Sequence, residues 1–435
     1  MDREPDAGVG AKSVSSCENS RVPKSRVAAL VLIADSAGAA TPDDDGPARG
    51  SGLQASMVGA GRLRRVVGHL LGDPSSFCAS ATTAESRAQI ALIGAGWWAR
   101  DWHLPHLDNN PQCDLVAIVD PSPALREEFG QLYSVPTFAS LEQLLGAGLQ
   151  LDGVLISSPH KTHFSLGMQA INAGLNVLIE KPMTTDPEEA AMIVKAAADG
   201  GKIFMVNTTA NWREQTKQAV EMVEQGKIGK IHHVQCHMGA PLMMLFDDPS
   251  RTTWTAGVGT AGINGFAWGQ LSHIMSWVFR VTSLKPCEAF AFMDISERSG
   301  ADLSDCAAIR CSNGATISLS GTSRVPGTQG VGKQIDVRIF GSDGMITYTG
   351  DDAEPSSGNL QLTRSDGSIE SAPGGFEFEE TAKGGTGPAS INAFIDGCLG
   401  RDYWVGADGE CGASVVRVLD AMYRSSMSGK AENVG

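Results

Sequence analysis

A lysine follows an apolar run at a point where its side chain could exchange protons with a ligand. Lys181 comes directly after the run Val177–Ile179 and Glu180, and Pro182 follows it. Proline disfavours the helical conformation for the residue before it, so the chain should leave this strand extended. A lysine held in a cleft has its pKa lowered by desolvation, and it could take the proton of a hydroxyl group that is being oxidised. The alternative is a strand-end lysine whose ammonium merely reaches solvent.

A glycine-rich turn lies upstream, between an apolar run and a predicted helix. The run Ile90–Ile93 is followed by GAGWWA over residues 94–99, which is a G-x-G-x-x-A pattern. The first glycine permits the tight turn, the second lets the backbone approach a diphosphate, and the alanine lets the helix pack on the strand. Amides at the start of that helix would bind the anion. The residues predicted to bind a dinucleotide here are Gly94, Ala95, Gly96, Trp97 and Trp98.

An acid at the end of the next apolar run predicts which nicotinamide cofactor is bound. The run Leu115–Val119 ends in Asp120, at the spacing expected for the ribose-binding acid of a dinucleotide site. Its carboxylate can accept hydrogen bonds from an adenosine ribose and would repel a 2′-phosphate, which favours NAD and makes NADP less favoured. The similar sequence Gly59–Gly61 has no strand-like run before it, so it is not interpreted as a cofactor site.

The overall composition limits the classes of function. A chain of 435 residues can form two ordinary domains, and its formal net charge of −15 argues against binding nucleic acid or an anionic membrane. No apolar run approaches the roughly 18 residues that span a bilayer. The nine cysteines form no C-x-x-C motif, which suits a reducing compartment and a cytoplasmic location. An organellar location is the alternative if the N-terminal extension, or a start at Met57, acts as a presequence.

The pattern of apolar runs predicts the domains. Residues 1–87 are predicted to be a disordered or leader-like extension. Residues 88–211 alternate strands and helices, which predicts a Rossmann domain with a doubly wound parallel sheet. Residues 212–430 are predicted to be an α+β domain with a large, mainly antiparallel open sheet, and residues 351–387 to be mostly loop. Ligands of a Rossmann sheet bind beyond the carboxyl ends of its strands, where the glycine turn, Ser157–Pro159 and Lys181 all lie.

Several segments resemble one known family. They are SSPHKTHF at 157–164, AGLNVLIEKP at 173–182, NWR at 211–213 and GSDGMITY at 341–348, together with the glycine turn and Asp120. From about Gln89 to the C-terminus the chain resembles the glucose–fructose oxidoreductase / inositol dehydrogenase (Gfo/Idh/MocA) family. The resemblance implies that Lys181 is the catalytic lysine and that the antiparallel sheet forms the interface of a homo-oligomer. It also implies a cofactor channel formed by Ser157, Pro159 and His163, with Glu180 next to the nicotinamide.

The second catalytic motif that the resemblance implies is altered. The family has D-x-G-x-H on a helix, whereas residues 269–273 read GQLSH. His273 is retained, but Gly269 replaces the acid and Leu271 the glycine. Gln270 and His273 would share a helix face, where they could bind a hydroxyl group and shuttle a proton. Alternatively His273 only binds substrate or packs against the sheet, and Lys181 acts with little help.

Other candidates are less specific. Trp212 could stack on a sugar ring, although filling the core is the default for such a residue, and Arg213 could bind an acidic group of the substrate or form a surface ion pair. His233 and His237 should lie on one face of a strand, with His232 and Cys236 on the other. A closed tetrahedral site would need both faces at once, so no metal site is predicted.

These patterns together predict an NAD(P)-dependent oxidoreductase. It would transfer hydride between nicotinamide and a sugar, cyclitol or related polyol, with Lys181 as proton relay. One alternative is a catalytically inactive nucleotide-binding regulator or scaffold, which the altered motif favours. Another is a hydrolase or epimerase of the same fold that retains its NAD.

Overall fold

The computed structural model describes residues 86–248, 265–327, 332–351, 353–354, 356–371 and 389–435. Of the extension predicted over residues 1–87, all but residues 86 and 87 lies outside the described residues. The same holds for the possible start at Met57 and for the sequence Gly59–Gly61.

The first sheet has six strands, and all of its neighbouring pairs are parallel. The strands are β1 (Ala88–Ile93), β2 (Cys113–Val119), β3 (Thr137–Phe138), β4 (Gly153–Ile156), β5 (Asn176–Glu180) and β6 (Phe204–Asn207). Their spatial order is β3-β2-β1-β4-β5-β6. This is the order of a Rossmann fold, in which the connection reverses direction between β1 and β4 and leaves a crevice for a dinucleotide. The predicted doubly wound parallel sheet is confirmed.

Helices alternate with these strands. They are α1 (Leu104–Asn109), α2 (Pro123–Tyr133), α3 (Leu141–Gly146), α4 (His163–Asn172), α5 (Pro187–Asp199) and α6 (Glu214–Glu224). Helix α5 begins as the sequence predicts: the Asp186 side chain accepts hydrogen bonds from the amides of Glu188 and Glu189 at 2.8 and 3.1 Å. An N-cap of this kind satisfies amides that have no partner within the helix. A π-helical segment, Ala99–His103, precedes α1, and a 3₁₀ turn, Thr209–Trp212, precedes α6.

The second sheet has nine strands and is mainly antiparallel, as predicted. They are β7 (Ile231–Gly239), β8 (Pro286–Ile295), β9 (Asp302–Cys311), β10 (Thr316–Thr322), β11 (Gln334–Gly341), β12 (Gly344–Asp351), β13 (Asn359–Arg364), β14 (Ile369–Ser371) and β15 (Glu432–Asn433). The order is β14-β13-β12-β11-β7-β10-β9-β8-β15, and among these described strands only β7 and β10 pair in parallel. The helices of this half are α7 (Met243–Phe246), α8 (Ser272–Thr282), α9 (Ala389–Cys398) and α10 (Gly409–Ser428).

The prediction of loop over residues 351–387 is wrong in its described part, which contains β13 and β14. Leu360 and Leu362 on β13 are buried while their neighbours are more exposed, so the strand has one face on the core. That alternation of period two is the signal of a half-buried strand, and the surrounding glycines and serines obscured it. Among the described residues, no helix has both the length and the apolar character needed to cross a membrane.

Candidate active site

The glycine turn after β1 packs directly on the segment after β4. Gly94 has φ +89°, and a Cβ atom there would lie 2.7 Å from the main-chain carbon and oxygen of Ser157. Only glycine fits both requirements. A Cβ atom on Gly96 would meet no atom within 4 Å, so the space beside this second glycine is open. The turn therefore has the close packing and the open face that a bound diphosphate requires.

Asp120 fixes this turn at the end of β2. Its carboxylate is buried and accepts hydrogen bonds from the amides of Ala95 and Ser122, both at 2.8 Å. The Ala95 amide is thus bonded to Asp120, so Ala95 helps to fix the turn. The guanidinium of Arg126 donates to the carbonyl oxygens of Asp120 and Pro121 at 2.9 and 2.8 Å, which places it directly after the end of β2.

Glu180, the last residue of β5, is held by three side chains on one carboxylate oxygen. Oε1 accepts hydrogen bonds from Trp98 Nε1 at 3.0 Å and from Asn207 Nδ2 at 2.7 Å, and it lies 2.8 Å from His103 Nε2. Burial alone would raise the pKa of Glu180, but the hydrogen bond and charge of His103, with the charge of Lys181, lower it. The group is therefore an ionised carboxylate fixed at the edge of the first sheet.

The two tryptophans predicted to bind the dinucleotide, Trp97 and Trp98, differ in their contacts. The indole N–H of Trp98 donates its hydrogen bond to Glu180, so Trp98 helps to fix the carboxylate of Glu180. Trp97 is 55% exposed and contacts Trp98 with its ring centroids 5.4 Å apart. Trp97 is the one whose ring faces outward from the glycine turn.

His163 packs against the segments that follow β4 and β5. It is fully buried, and its Nδ1 and Nε2 lie 2.8 Å from the carbonyl oxygens of Pro182 and Ser158 respectively. Burial lowers the pKa of His163. The neutral imidazole has one N–H, so it donates to one of these two carbonyl oxygens at a time, and the buried ring packs between the segments after β4 and β5 instead of forming an exposed wall of the predicted channel. Ser157 is half-buried and Pro159 exposed at the same edge.

Lys181 reaches from the first sheet to a helix of the second half. Its ammonium Nζ donates to the carbonyl oxygen of Gly269 at 2.8 Å, and the peptide bond to Pro182 is cis. Burial lowers the pKa of Lys181 to about 8, with the charge of Glu180 opposing this shift and that of Lys333 adding to it. A lysine with this pKa exists in both protonation states near neutral pH, which is what a group that exchanges protons requires.

The acceptor carbonyl belongs to a π-helical turn. Residues 267–271 are π-helical, and α8 begins at Ser272, so the regular helix predicted across 269–273 is only partly correct. The carboxylate of Asp302 accepts the amide of Ala267 at 2.6 Å and also a hydrogen bond from the hydroxyl of Tyr423. Such π-helical turns alter the main-chain pairing and occur often at functional sites. Here the turn places a carbonyl oxygen against Lys181.

A buried phenylalanine occupies the place of the missing acid. A Cβ atom on Gly269 would lie 2.6 Å from Cζ of Phe246, which is only 3% exposed. No side chain can be added to Gly269 unless this ring moves. Phe246, at the end of α7, therefore leaves no room for a carboxylate side chain at position 269, where the family resemblance predicts an acid.

His273 lies on α8 and stays neutral near pH 7. It is half-buried, and its pKa is lowered well below the ordinary value by burial and by the positive charges of Lys181, Lys333 and Arg213. Gln270 has its amide oxygen buried without a hydrogen-bond partner. In the part of the chain that the structure describes, no hydrogen bond joins Gln270 to His273, so the predicted pair is not pre-formed.

Trp212 and Arg213 differ in position. Trp212 is 4% exposed, and a Cβ atom on Gly406 would lie 2.5 Å from its ring, so it packs within the core instead of presenting a face to a sugar. Arg213 donates to the hydroxyl of Tyr348 at 3.3 Å. The ring of Tyr348 stacks on Trp277 of α8 with centroids 4.4 Å apart. Arg213 therefore lies beside the helix that carries His273.

The histidines of β7 pair with a neighbouring strand. His233 Nδ1 lies 2.9 Å from Thr316 Oγ1, and His237 Nδ1 lies 2.8 Å from Ser320 Oγ, both on β10. Cys236 is buried on the opposite face. Among the described residues, no group of three or more histidine, cysteine, aspartate or glutamate side chains could hold a metal ion.

Sequence reasoning did not identify five residues that shape this site: His103, Asn207, Phe246, Asp302 and Lys333. One of them had a readable signal, because Asn207 ends β6 directly opposite Glu180 in the parallel register. Phe246, Asp302 and Lys333 act through contacts between segments far apart in the chain, which spacing in the sequence does not report.

The fold and these side chains define a two-part protein with a dinucleotide crevice and a lysine at its edge. Residues 88–208 match the profile of an oxidoreductase family with an NAD-binding Rossmann fold, and residues 216–347 match the GFO/IDH/MocA C-terminal domain. These two matches cover more than half of the chain. The protein belongs to the Gfo/Idh/MocA family.

Named relatives match about a third of the chain. D-glucoside 3-dehydrogenase of Escherichia coli is 28% identical over 147 residues, which are 34% of this chain and 42% of that protein. Inositol 2-dehydrogenase of Rhodococcus erythropolis is 30% identical over 155 residues, which are 34% and 43% of the two chains. The chain thus spans less than half the length of these curated relatives.

Solved structures match over both halves. The WlbA dehydrogenase from Bordetella pertussis, solved in complex with NADH and UDP-GlcNAcA, superposes with a TM-score of 0.63 at 21% identity. That match covers 80% of this chain and 98% of the WlbA chain. At this identity the likeness establishes the shared fold.

Proposed function

We propose that this protein is an NAD-dependent oxidoreductase that acts on a CH–OH group of a sugar, cyclitol or related polyol. The observation that carries the proposal is the position of Lys181: a half-buried ammonium with a pKa of about 8, bonded to Gly269 O and adjacent to the ionised Glu180. Relatives in the family are named as dehydrogenases of glucosides and inositol. When bound, the nicotinamide supplies the acceptor or donor of hydride.

The residues of this chain would then divide the remaining tasks. Gly94, Gly96 and Trp97 would cradle the diphosphate end, and Asp120 would accept the ribose hydroxyls, which favours NAD over NADP. Glu180 would hold the edge of the crevice next to the nicotinamide. His163, Ser157 and Pro159 would keep the strand-end segments in place.

Lys181 would serve as the proton relay. In the direction of oxidation its neutral amine takes the hydroxyl proton of the substrate, and in the direction of reduction its ammonium returns a proton to the carbonyl oxygen. The bond to Gly269 O orients Nζ without supplying an opposing charge. His273 is a weak base because its pKa is so low, so its role is to hold the substrate hydroxyl by a hydrogen bond.

A direct test combines binding with turnover. Titration with NADH, followed by fluorescence, should show saturable binding to both the parent protein and Lys181→Met. Only the parent should then oxidise members of a polyol panel at a measurable rate. Equal turnover by the two proteins would disprove the role of Lys181, and absence of binding to both NAD and NADP would disprove the function itself.

A second function is favoured by one observation, the replacement of the catalytic acid by Gly269. A regulator or scaffold would retain the cofactor crevice without the complete catalytic set. That function predicts tight NADH binding by the parent protein with no turnover across the panel, and unchanged NADH binding by Lys181→Met.

A further inference from the structure

A small cavity adjoins the network that holds the carboxylate of Glu180. Its volume is about 10 Å³, which is just enough for one water molecule. The three side chains that contact the acid all lie in its lining, namely Trp98, His103 and Asn207. Lys181 is not among the described residues that line it. The cavity is therefore separate from the lysine that is proposed to exchange the proton.

The orientation of the Asn207 amide is set by Glu180. Nδ2 of Asn207 donates to Oε1 of that carboxylate at 2.7 Å, and an ionised carboxylate can only accept. The amide oxygen Oδ1 is therefore the atom turned away from the acid. Asn207 is 3% exposed, and Oδ1 is buried with no hydrogen-bond partner among the described residues. A buried acceptor of this kind requires a donor.

The π-helical segment Ala99–His103 contributes a donor to the same cavity. Nε1 of Trp102 is buried and has no acceptor in the part of the chain that the structure describes. The ring of Trp102 packs on that of Trp98, with centroids 5.4 Å apart. Trp98 donates to Glu180 directly, whereas Trp102 does not. One cavity is thus lined by two residues that each have a buried, unsatisfied polar atom, one a donor and the other an acceptor.

A single water molecule can satisfy both groups, because it accepts one hydrogen bond while it donates another. Buried waters make about three hydrogen bonds, typically to groups that otherwise have no partner. Thr209 and Ser390 also line the cavity, and each carries a hydroxyl group that is suited to a third bond. The size and the polar lining therefore both fit water.

We propose that this cavity is a binding site for one water molecule, which accepts the indole N–H of Trp102 and donates to Oδ1 of Asn207. The bound water keeps the Asn207 amide in the orientation in which Nδ2 donates to Glu180. Trp102 is thus a positioning residue for an acid to which it donates no hydrogen bond itself. Neither statement depends on the substrate or on turnover.

A crystal structure of the full-length protein tests the site directly. Density for one water should lie about 2.7–3.2 Å from both Nε1 of Trp102 and Oδ1 of Asn207. A direct hydrogen bond between these two atoms would overturn the proposal. So would the lack of such density in a map that shows other buried waters.

The indole N–H signals test the same site in solution. Protein with isotope-labelled tryptophan carries eight indole N–H groups, and the signal that is lost in Trp102→Phe belongs to Trp102. This signal should show a nuclear Overhauser effect to a long-lived water. The signal of Trp98, assigned in the same way, is the control and should show a weaker effect, because its N–H donates to Glu180. Equal effects would indicate general entry of solvent and would overturn the proposal, as would no effect at Trp102.

The positioning role has a separate readout. Trp102→Phe keeps an aromatic ring but removes the donor, so its crystal structure should lack the water. The distance between Nδ2 of Asn207 and Oε1 of Glu180 should then exceed the 2.7 Å of the parent. Trp404→Phe, which removes an indole N–H that donates to the carbonyl oxygen of Asn211, is the matched control and should keep both the water and the distance.

Two results with these variants would contradict the proposal. A water that persists in Trp102→Phe would show that Trp102 does not bind it. An unchanged distance after the water is lost would disprove the positioning role. The proposed function is judged by NADH binding and polyol oxidation, so it can stand or fail independently of this site.

Discussion

The ammonium of Lys181 and the main-chain carbonyl oxygen of Gly269 lie 2.8 Å apart, and this bond joins the edge of the first sheet to the turn that precedes α8. A carbonyl dipole orients the lysine but compensates its charge less than a carboxylate would. Desolvation therefore keeps the pKa of Lys181 low, at about 8. The consequence is a lysine whose pKa lies close to neutral even though the adjacent carboxylate of Glu180 raises it.

The pH profile should report this lysine. Oxidation of an alcohol requires the neutral amine, so kcat should rise with pH, reach half its maximum near pH 8 and level off above it. Reduction of the ketone requires the ammonium, so its rate should fall through the same range. Steady-state rates measured in both directions from about pH 6 to about pH 10, roughly two units on each side of the expected midpoint, would check this. A profile without a transition in either direction would count against Lys181.

Removing the amine should affect turnover alone. Lys181→Met should lower kcat by about 10²- to 10⁴-fold, the usual contribution of general acid–base catalysis, with NADH affinity retained. Lys195→Met, on the exposed surface of α5, is the matched control and should behave as the parent does. Equal losses in the two variants would show that the effect comes from folding.

Glu180 should tune the pKa of Lys181. Its negative charge raises that pKa, so Glu180→Gln should move the half-maximal pH of oxidation below that of the parent. The expected shift is toward lower pH because the ammonium loses a stabilising charge. Glu188→Gln, exposed in the first turn of α5, serves as the control. A shift in the opposite direction would show that the network around Glu180 acts mainly by geometry.

Gly269 should not tolerate a side chain. Replacing glycine by alanine within a helix usually stabilises a protein by about 0.5–1 kcal/mol, but a Cβ atom here would lie 2.6 Å from Phe246. Overpacking at this position should lower the free energy of unfolding of Gly269→Ala by about 1–3 kcal/mol. The variant should therefore have a lower Tm than the parent protein. Gly146→Ala on α3 has open space around its Cβ position and is the control.

The same packing argument predicts the outcome of restoring the acid. Gly269→Asp should be less stable than the parent and no more active. Combining it with Phe246→Ala should cost less stability than the two single changes added together, because the ring that clashes is gone. Additive thermal-unfolding data for the double variant would contradict this account of Phe246.

Asp120 should control the choice of cofactor. Asp120→Asn removes the charge that repels a 2′-phosphate, so the ratio of kcat/KM for NAD to that for NADP should fall by about 10- to 150-fold, which corresponds to the roughly 1.5–3 kcal/mol of a hydrogen bond to a charged group. Overall activity should also fall, because the carboxylate positions the Ala95 amide. Asp114→Asn, on the same strand but bound to Arg87 and Gln89, is the control. An unchanged ratio of kcat/KM for NAD to that for NADP would show that Asp120 only stabilises the glycine turn and does not select the cofactor.

The sequence predicted the parts of the molecule that depend on local pattern. The apolar runs of β1, β2, β4, β5 and β6 and the cap at Asp186 were readable because burial and capping leave a local residue pattern. Lys181 was readable because the carboxyl end of a parallel strand faces the crevice.

What the sequence missed depends on contacts between distant segments. The Ala95 amide is bonded to Asp120, 25 residues away, although the fingerprint alone assigns that amide to the ligand. The π-helical turn changes the relation of Gln270 to His273, and it is anchored by Asp302, 35 residues from Ala267. The spacing of residues within one segment predicts neither a π-helical turn nor a hydrogen bond to a side chain from a distant segment.

Helix α10 helps to position the π-helical turn over residues 267–271, although the two segments lie far apart in the chain. Tyr423 of α10 donates to Asp302, and Asp302 holds the amide of Ala267 two residues before Gly269. Shortening the protein from its carboxyl terminus past Tyr423 would release the acid that fixes the lysine's acceptor. A residue near one end of α10 thus helps to position the carbonyl oxygen that accepts the hydrogen bond of Lys181.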